Sequence, residues 1–295
     1  MSFVLTLIAA ERLDDSTLSQ LRQTLAAQGA DLQPSSWLAP GRVADLAFDR
    51  LAPDRAETVA REYFAGHQVD LLAQPREGRR KKLLVADMDS TIVVGETLDE
   101  LAAYAGLKEH IAAITARAMN GEIDFKAALR ERVGLLRGLD EGALAKTEQK
   151  LALTPGARIL TATMRAHGAF TLLVSGGFDY FTSRVRERCG FDADRANRLE
   201  INGGKLTGKV IEPILDRDAK LGFLRSFAAE RGYDSSATLA VGDGANDLDM
   251  IRAAGLGVAF HAKPVVAHEA RFRVEHNDLT ALLFAQGYRQ EEFSS

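Results

Sequence analysis

The sequence predicts an α/β fold in which a mostly parallel sheet, covered by helices on both faces, follows a smaller βαββαβ unit. Beyond residue 155, short apolar runs alternate with helical patterns. A long helical stretch at about 96–150 follows the first strand of that series, and residues 1–75 show strand runs around two helical patterns. With 295 residues, the chain has room for a core domain and a smaller one.

The first 75 residues give the βαββαβ order. Strands are predicted at about 3–10, near Trp37, at 43–48 and at 68–73. The first helix has Ser16 as a candidate cap and a stripe of leucines at 18, 21 and 25, and Pro53 opens the second. This order is the ferredoxin-like arrangement.

A linker is predicted next. Gln74-Pro75-Arg76-Glu77-Gly78 and the basic run 79–82 are rich in turn formers and charge, as expected where few contacts cross. We therefore expect a domain boundary here, between residues 1–75 and residues 76–295.

The larger unit begins with a buried strand at 83–86. The stretch 96–150 reads as a helical insert, or cap, because apolar residues recur at helical spacing, among them Ile111, Ile114, Leu129 and Val133. Further strands are predicted at 170–174, 237–241 and 256–260, with helices between them, which indicates a parallel sheet. Asn202-Gly203-Gly204 predicts one inserted hairpin.

Composition narrows the possible partners and compartment. A net charge of -4 and a single short basic run argue against nucleic acid. The apolar segment at 3–10 is too short to cross a bilayer and lacks the flanks of a signal peptide. Cys189 is the only cysteine, which excludes an internal disulfide and a thiolate metal cluster. We expect a cytoplasmic protein that binds neither nucleic acid nor membrane.

Polar residues follow three of the predicted strands. They are Asp87-Met88-Asp89-Ser90-Thr91, Ser175-Gly176-Gly177 and Gly242-Asp243-Gly244-Ala245-Asn246-Asp247. Ligands of parallel sheets bind at the carboxyl ends of the strands, so all three segments should face one crevice. Four converging carboxylates would repel one another unless a cation neutralised them. Hard oxygen ligands predict one Mg²⁺ ion, with Mn²⁺ as an alternative.

The paired aspartates suggest phosphoryl transfer. One carboxylate of the pair can bind metal and attack phosphorus, while the other donates and later accepts a proton. The Ser175 hydroxyl and the amides of Gly176 and Gly177 offer donors to phosphate oxygens. Lys220, near a predicted helix start, adds positive charge.

These four segments resemble the motifs of the haloacid dehalogenase-like phosphotransferase superfamily, which has a Rossmann-like core. Asp87 to Thr91 resembles the first motif, Ser175 the second, Lys220 the third and Gly242 to Asp247 the fourth, in the same order. The resemblance implies that Asp87 is the nucleophile and a Mg²⁺ ligand. It also implies that Asp89 is the general acid and base and binds metal through its carbonyl, and that Asp243 is the third ligand. Asp247 would support the metal, and Asn246 would orient either the phosphate or the helix start.

Between the motifs, the chain most resembles the phosphoserine phosphatase family. The resemblance rests on Glu96 and on Met119-Asn120-Gly121 with Phe125, Arg130 and Arg132. It implies that Glu96 binds the substrate ammonium, that Arg132 pairs with the substrate carboxylate, and that Met119 and Phe125 close over the site. A bidentate guanidinium suits a carboxylate, and a carboxylate suits an ammonium. The implied reaction is hydrolysis of phosphoserine, the last step of serine synthesis.

Three hypotheses about function stay open at this point, and hydrolysis of phosphoserine is the first. The same chemistry serves a sugar-phosphate or nucleotide phosphatase, or a phosphotransferase, because fold alone does not set specificity. Residues 1–75 are similar in pattern to ACT-type regulatory domains. That likeness implies amino-acid binding, here of serine, and pairing of subunits into a homodimer. A regulatory protein with a vestigial phosphatase site is the third reading.

Overall fold

The computed structural model describes residues 2–295, and its N-terminal part contains an antiparallel sheet. The strands are β1 (Phe3–Ala9), β2 (Asp31–Leu32), β3 (Ser36–Ala39), β4 (Val43–Asp49) and β5 (Val69–Pro75). They lie in the order β2-β4-β1-β5, with β3 also beside β4, and the helices are α1 (Asp15–Ala27) and α2 (Pro53–Tyr63). The ferredoxin-like arrangement is confirmed.

The predicted cap of α1 is wrong by two residues. Asp14, not Ser16, is the N-cap, and its side chain accepts a hydrogen bond from the amide of Thr17 at 2.8 Å. Leu18, Leu21 and Leu25 lie on the buried face as predicted.

The second sheet carries the larger unit. Its strands are β6 (Leu83–Asp87), β7 (Phe170–Phe178), β8 (Ala193–Asn202), β9 (Lys205–Ile211), β10 (Thr238–Gly242), β11 (Leu256–Phe260) and β12 (Phe272–Val274). The order is β12-β11-β10-β6-β7-β8-β9, parallel except for the β8-β9 hairpin. Both hairpin glycines, Gly203 and Gly204, have positive φ angles of 57° and 76°, as the predicted turn requires. The short strand β12 has no counterpart in the prediction.

Helices form the cap and cover the sheet. The cap contains α3 (Thr97–Ala102), α4 (Lys108–Met119), α5 (Phe125–Leu135) and α6 (Gly142–Glu148). The core helices are α7 (Ala157–Ala166), α8 (Asp179–Cys189), α9 (Arg217–Glu230), α10 (Leu248–Ala253), α11 (Pro264–Glu269) and α12 (Ala281–Ala285). Within residues 2–295, no helix is both long and apolar enough to cross a membrane. The helical insert is confirmed.

The two units share a buried junction. Ile8 and Leu72 of the first sheet pack in the same apolar cluster as Leu282 of α12. The Asp70 carboxylate accepts hydrogen bonds from the amides of Glu275 (2.8 Å) and Asn277 (3.1 Å) and from Asn277 Nδ2 (2.9 Å). These contacts fix the ferredoxin-like unit against the larger unit.

The linker also contributes to this junction. Arg79 forms an ion pair with Asp45 of β4 at 2.5 Å, and Arg80 forms one with Glu292 at 2.7 Å. The Lys81 amide donates to Gln286 Oε1 at 2.9 Å. The expectation that few contacts cross this segment was therefore wrong, because basic side chains that look solvated in sequence have partners in both units.

Candidate active site

The strand order brings the three polar segments together. Strands β10, β6 and β7 are neighbours, so their carboxyl ends lie side by side. Asp87 ends β6, Ser175 lies near the end of β7, and Asp243 directly follows β10. The prediction of a single crevice is therefore confirmed at the level of the backbone.

Three buried carboxylates form the centre of this crevice. One oxygen each of Asp87, Asp243 and Asp247 lies within 4.8 Å of the others. The Lys220 ammonium is buried among them and donates to Asp87 Oδ1 at 2.6 Å and to Asp247 Oδ1 at 2.7 Å. Three carboxylates and one ammonium leave two net negative charges, which a divalent cation would neutralise. The set therefore fits a hard metal ion.

The electrostatics of this cluster follow from burial. Burial, followed by the nearby charge of Asp247, raises the pKa of Asp87, and the Lys220 ammonium opposes that change. The same two causes raise the pKa of Asp243 to about 7. The two carboxylates raise the pKa of Lys220 although burial alone would lower it. The raised pKa values of the two acids and of Lys220 show that this site favours added positive charge.

Asp89 lies beside this cluster and has its own hydrogen-bond partners. Its Oδ1 accepts a hydrogen bond from the Thr97 amide at 2.7 Å, and its Oδ2 accepts one from the Ser175 hydroxyl at 3.0 Å. Asp89 thus lines the same cavity as Asp87 and Asp243, although it is not one of the three carboxylates whose oxygens lie within 4.8 Å of one another. Ser90, which follows, has a φ of 55°, and this left-handed residue turns the chain directly after Asp89. Its side chain is thus fixed at the boundary between core and cap.

Ser175 connects Asp89 to the backbone of the loop Ser175-Gly176-Gly177. Its hydroxyl donates to Asp89 and accepts a hydrogen bond from the Gly177 amide at 2.8 Å. A Cβ on Gly177 would lie 3.0 Å from both Asp89 Oδ2 and Ser175 Oγ, so glycine is needed for this close approach.

A small cavity joins the cap and the core. Its volume is about 30 Å³, enough for a water molecule or two. Most of the predicted site residues line it: Asp87, Asp89, Glu96, Met119, Phe125, Arg132, Ser175, Gly176, Gly177, Asp243 and Asn246. Lys220 and Asp247 are joined to this lining through Asp87, because the Lys220 ammonium donates to both carboxylates. The structure thus brings every predicted site residue into one region.

An acidic and a basic side chain, Glu96 and Arg132, face this cavity from the cap side. Glu96 accepts a hydrogen bond from the Ser90 hydroxyl at 2.8 Å, and burial followed by the charge of Asp89 raises its pKa to about 8. Arg132 is 3% exposed, and burial lowers its pKa. Among residues 2–295, no carboxylate lies within 4 Å of the Arg132 guanidinium. A buried guanidinium without such a partner has room for an anion.

Met119 and Phe125 cover the loops of the core. A Cβ on Gly176 would lie 2.6 Å from Phe125 Cζ, and one on Gly244 would lie 3.0 Å from Met119 Sδ. Both cap residues therefore rest directly on glycine backbone. The structure shows the cap in a closed position.

The sequence interpretation missed two polar residues of the site. Thr97 is buried, its amide holds Asp89, and its hydroxyl has no hydrogen-bond partner within the described residues. Asn197 donates to the carbonyl oxygens of Gly176 (2.8 Å) and Leu215 (3.2 Å) and accepts from the Leu215 amide (2.6 Å). Its position in a strand, flanked by charged residues, gave no signal for this role.

The fold and the site together define a haloacid dehalogenase-like hydrolase, and residues 84–252 match that family. The chain is 45% identical to a phosphoserine phosphatase of Streptomyces coelicolor over 77% of its own length and 55% of that protein. It is 44% identical to a phosphoserine phosphatase of Streptococcus thermophilus over 68% of its length and 93% of that protein. The chain therefore belongs to the phosphoserine phosphatase family of these hydrolases.

A solved structure extends the likeness to the whole chain. A haloacid dehalogenase family hydrolase of Salmonella enterica has 29% sequence identity and a TM-score of 0.85, with 99% of each chain covered. The ferredoxin-like unit is therefore part of a shared architecture. The chain spans only about half the length of the Streptomyces relative.

Proposed function

We propose that this chain hydrolyses O-phospho-L-serine to L-serine and phosphate through an aspartyl-phosphate intermediate, as the last step of serine biosynthesis. This function rests on one observation: an acidic side chain, Glu96, and a basic one, Arg132, line one cavity with Asp87. An α-amino acid presents an ammonium and a carboxylate from the same carbon. Glu96 is suited to the first and Arg132 to the second.

Asp87 attacks the phosphorus, and the bond from phosphorus to the serine oxygen breaks. Asp89 gives a proton to that departing oxygen and then takes one from the water that hydrolyses the acyl phosphate. The hydrogen bonds from Ser175 and the Thr97 amide hold its carboxylate for both transfers. Lys220, the Ser175 hydroxyl, the amides of Gly176 and Gly177, and Asn246 bind the phosphoryl oxygens.

The buried carboxylates fit one Mg²⁺ ion, or Mn²⁺ with the same oxygen ligands. Asp87, Asp243 and the backbone carbonyl of Asp89 would hold it, and Asp247 would support them. When bound, such an ion neutralises charge that develops on the transferred group. Asn246 Oδ1 is buried without a partner among residues 2–295, which leaves it available to this region.

The remaining roles are proposed at the level of domains. Residues 76–295 form the phosphatase domain, with a cap at about 96–150 that opens for substrate, because a 30 Å³ cavity cannot admit an amino-acid phosphate. Residues 1–75 form an ACT-like domain that binds serine and pairs subunits into a homodimer. The single thiol of the chain favours a cytoplasmic location.

The test is phosphate release from a panel of phosphomonoesters with Mg²⁺ or EDTA. Phosphoserine is compared with phosphoethanolamine, which lacks only the carboxylate, and with p-nitrophenyl phosphate. We expect phosphoserine to have the highest kcat/KM, EDTA to stop turnover, and Asp87→Asn to abolish it. Equal kcat/KM for phosphoserine and phosphoethanolamine would contradict the substrate assignment, and full activity of Asp87→Asn would contradict the mechanism.

A further inference from the structure

Arg132 has an unusual environment for a buried guanidinium. Its Nε donates to the Ala128 carbonyl at 3.2 Å, one turn earlier in α5, and its Nη1 donates to the Thr115 hydroxyl of α4 at 2.9 Å. Neither partner is charged. The compensating charge must therefore come from further away.

Glu96, Asp99 and Asp89 all favour the charged guanidinium. Of these, Asp99 is linked to Arg132 through the Thr115 hydroxyl. The Thr115 hydroxyl lies 2.7 Å from Asp99 Oδ1 of α3, and both residues are buried. A guanidinium can only donate and a carboxylate can only accept. With Asp99 ionised, the Thr115 proton therefore points to Asp99, and a lone pair of the same oxygen accepts from Arg132. The Ile111 carbonyl, at 3.1 Å, is the more distant acceptor.

This arrangement joins three cap helices in one order: Arg132 on α5, Thr115 on α4 and Asp99 on α3. The hydroxyl keeps acid and base apart, so Asp99 stabilises the charge of Arg132 without forming an ion pair with it. A direct bidentate pair would use the same N–H groups that a substrate carboxylate needs.

We propose that Thr115, oriented by Asp99, is a positioning residue that holds the Arg132 guanidinium toward the cavity and so sets specificity for substrates with a carboxylate. This inference rests on the proposed function, because it deepens the role given to Arg132. Without the hydroxyl, Arg132 loses one of its two hydrogen bonds and is free to turn toward Asp99.

The experiment uses the full chain with Mg²⁺ and the variants Thr115→Val, Thr115→Ala and Thr115→Ser. The first two remove the hydroxyl, and the alanine variant keeps a strong helix former should valine disturb folding. The serine variant restores the hydroxyl. Thr147→Val is the matched control, since Thr147 is a buried threonine of the same cap whose hydroxyl bonds only to the Ala143 carbonyl.

We expect Thr115→Val and Thr115→Ala to raise KM for phosphoserine about 10- to 100-fold, the loss of one hydrogen bond to a charged group. For phosphoethanolamine, KM and kcat stay within about twofold of wild type, because the weakened contact is to the carboxylate, which this substrate lacks. Thr115→Ser and Thr147→Val retain wild-type KM for phosphoserine.

Equal KM increases for both substrates would overturn the proposal, because they would indicate general damage to the cap. An unchanged KM for phosphoserine in both hydroxyl-free variants would overturn it as well. Failure of the proposed function is distinguished by the wild type alone, which would then show no preference for phosphoserine over phosphoethanolamine.

Discussion

The junction between the two units yields the prediction with the most direct structural basis. Asp70 is 2% exposed, and its carboxylate accepts from the amides of Glu275 and Asn277 and from Asn277 Nδ2. Asp70→Asn keeps the shape but replaces one acceptor oxygen by a donor NH₂ group. Whichever way the new side-chain amide turns, at least one buried N–H group then faces another donor. The remaining hydrogen bonds are made to a neutral acceptor instead of a charged carboxylate.

The expected cost follows from those bonds. Hydrogen bonds to a charged group contribute about 1.5–3 kcal/mol each, and an unpaired buried donor costs about 1–3 kcal/mol. We therefore expect Asp70→Asn to lower the free energy of unfolding of the N-terminal unit by about 3–5 kcal/mol. That is a large part of the stability of an ordinary domain, about 5–15 kcal/mol.

The chain offers one natural probe in each unit. Trp37, the only tryptophan, lies in β3, and Cys189, the only cysteine, ends α8. We expect urea unfolding followed by Trp37 fluorescence and by Cys189 reactivity to coincide in the wild type. In Asp70→Asn the Trp37 transition moves to lower urea. Asp31→Asn, at an exposed position of the same sheet, is the control.

Two results would refute this reasoning. One is an Asp70→Asn variant that unfolds at the same urea concentration as Asp31→Asn. The other is a wild type in which the two probes already report separate transitions, which would mean that the junction does not couple the units.

Three further predictions concern the phosphatase unit. We expect Mg²⁺ at 100 times its Kd to raise the free energy of unfolding of the wild type by about 2.7 kcal/mol, and Asp243→Asn to lose most of this gain. Thermal melting in Mg²⁺ and in EDTA measures it. A wild type with the same Tm in Mg²⁺ and in EDTA would contradict the metal assignment. Burial raises the pKa of Cys189 to about 11, so the folded protein reacts slowly with Ellman's reagent at pH 8 and fast in denaturant; fast reaction of the folded protein would be the contrary result. Asn197→Asp places a carboxylate against the carbonyl oxygens of Gly176 and Leu215, so we expect kcat to fall at least about tenfold, with Asn197→Ser intermediate. A wild-type kcat for both variants would exclude a role of Asn197 in positioning the Gly176 loop.

Sequence reasoning succeeded where local pattern and sheet geometry suffice. Asp87 and Asp243 each follow a short apolar strand, and the carboxyl ends of adjacent parallel strands meet at one edge. The cap was recognised because its apolar residues recur at helical spacing over four helices. Neither inference requires knowledge of side-chain orientation.

Sequence reasoning failed where the structure depends on side-chain direction or on contacts between residues far apart in the chain. Asp89 lines the predicted crevice, but nothing in the sequence indicated that its carboxylate accepts hydrogen bonds from the Thr97 amide and the Ser175 hydroxyl. Asp70 and the backbone amides that donate to its carboxylate are separated by more than 200 residues. Arg79 and its neighbours were interpreted as linker because charge normally indicates solvent, whereas their partners come from both units.

The closed cap has a consequence for turnover. Because the cavity is too small for phosphoserine, the proposed function requires Met119 and Phe125 to leave the core in every cycle. Both side chains rest on Gly176 and Gly244, which have no side chains to cover. Opening therefore exposes little apolar surface on the core side, and its hydrophobic cost comes mainly from the Met119 and Phe125 side chains themselves. Under the proposed function, these glycines let phosphate approach the backbone and also limit the apolar contact between cap and core.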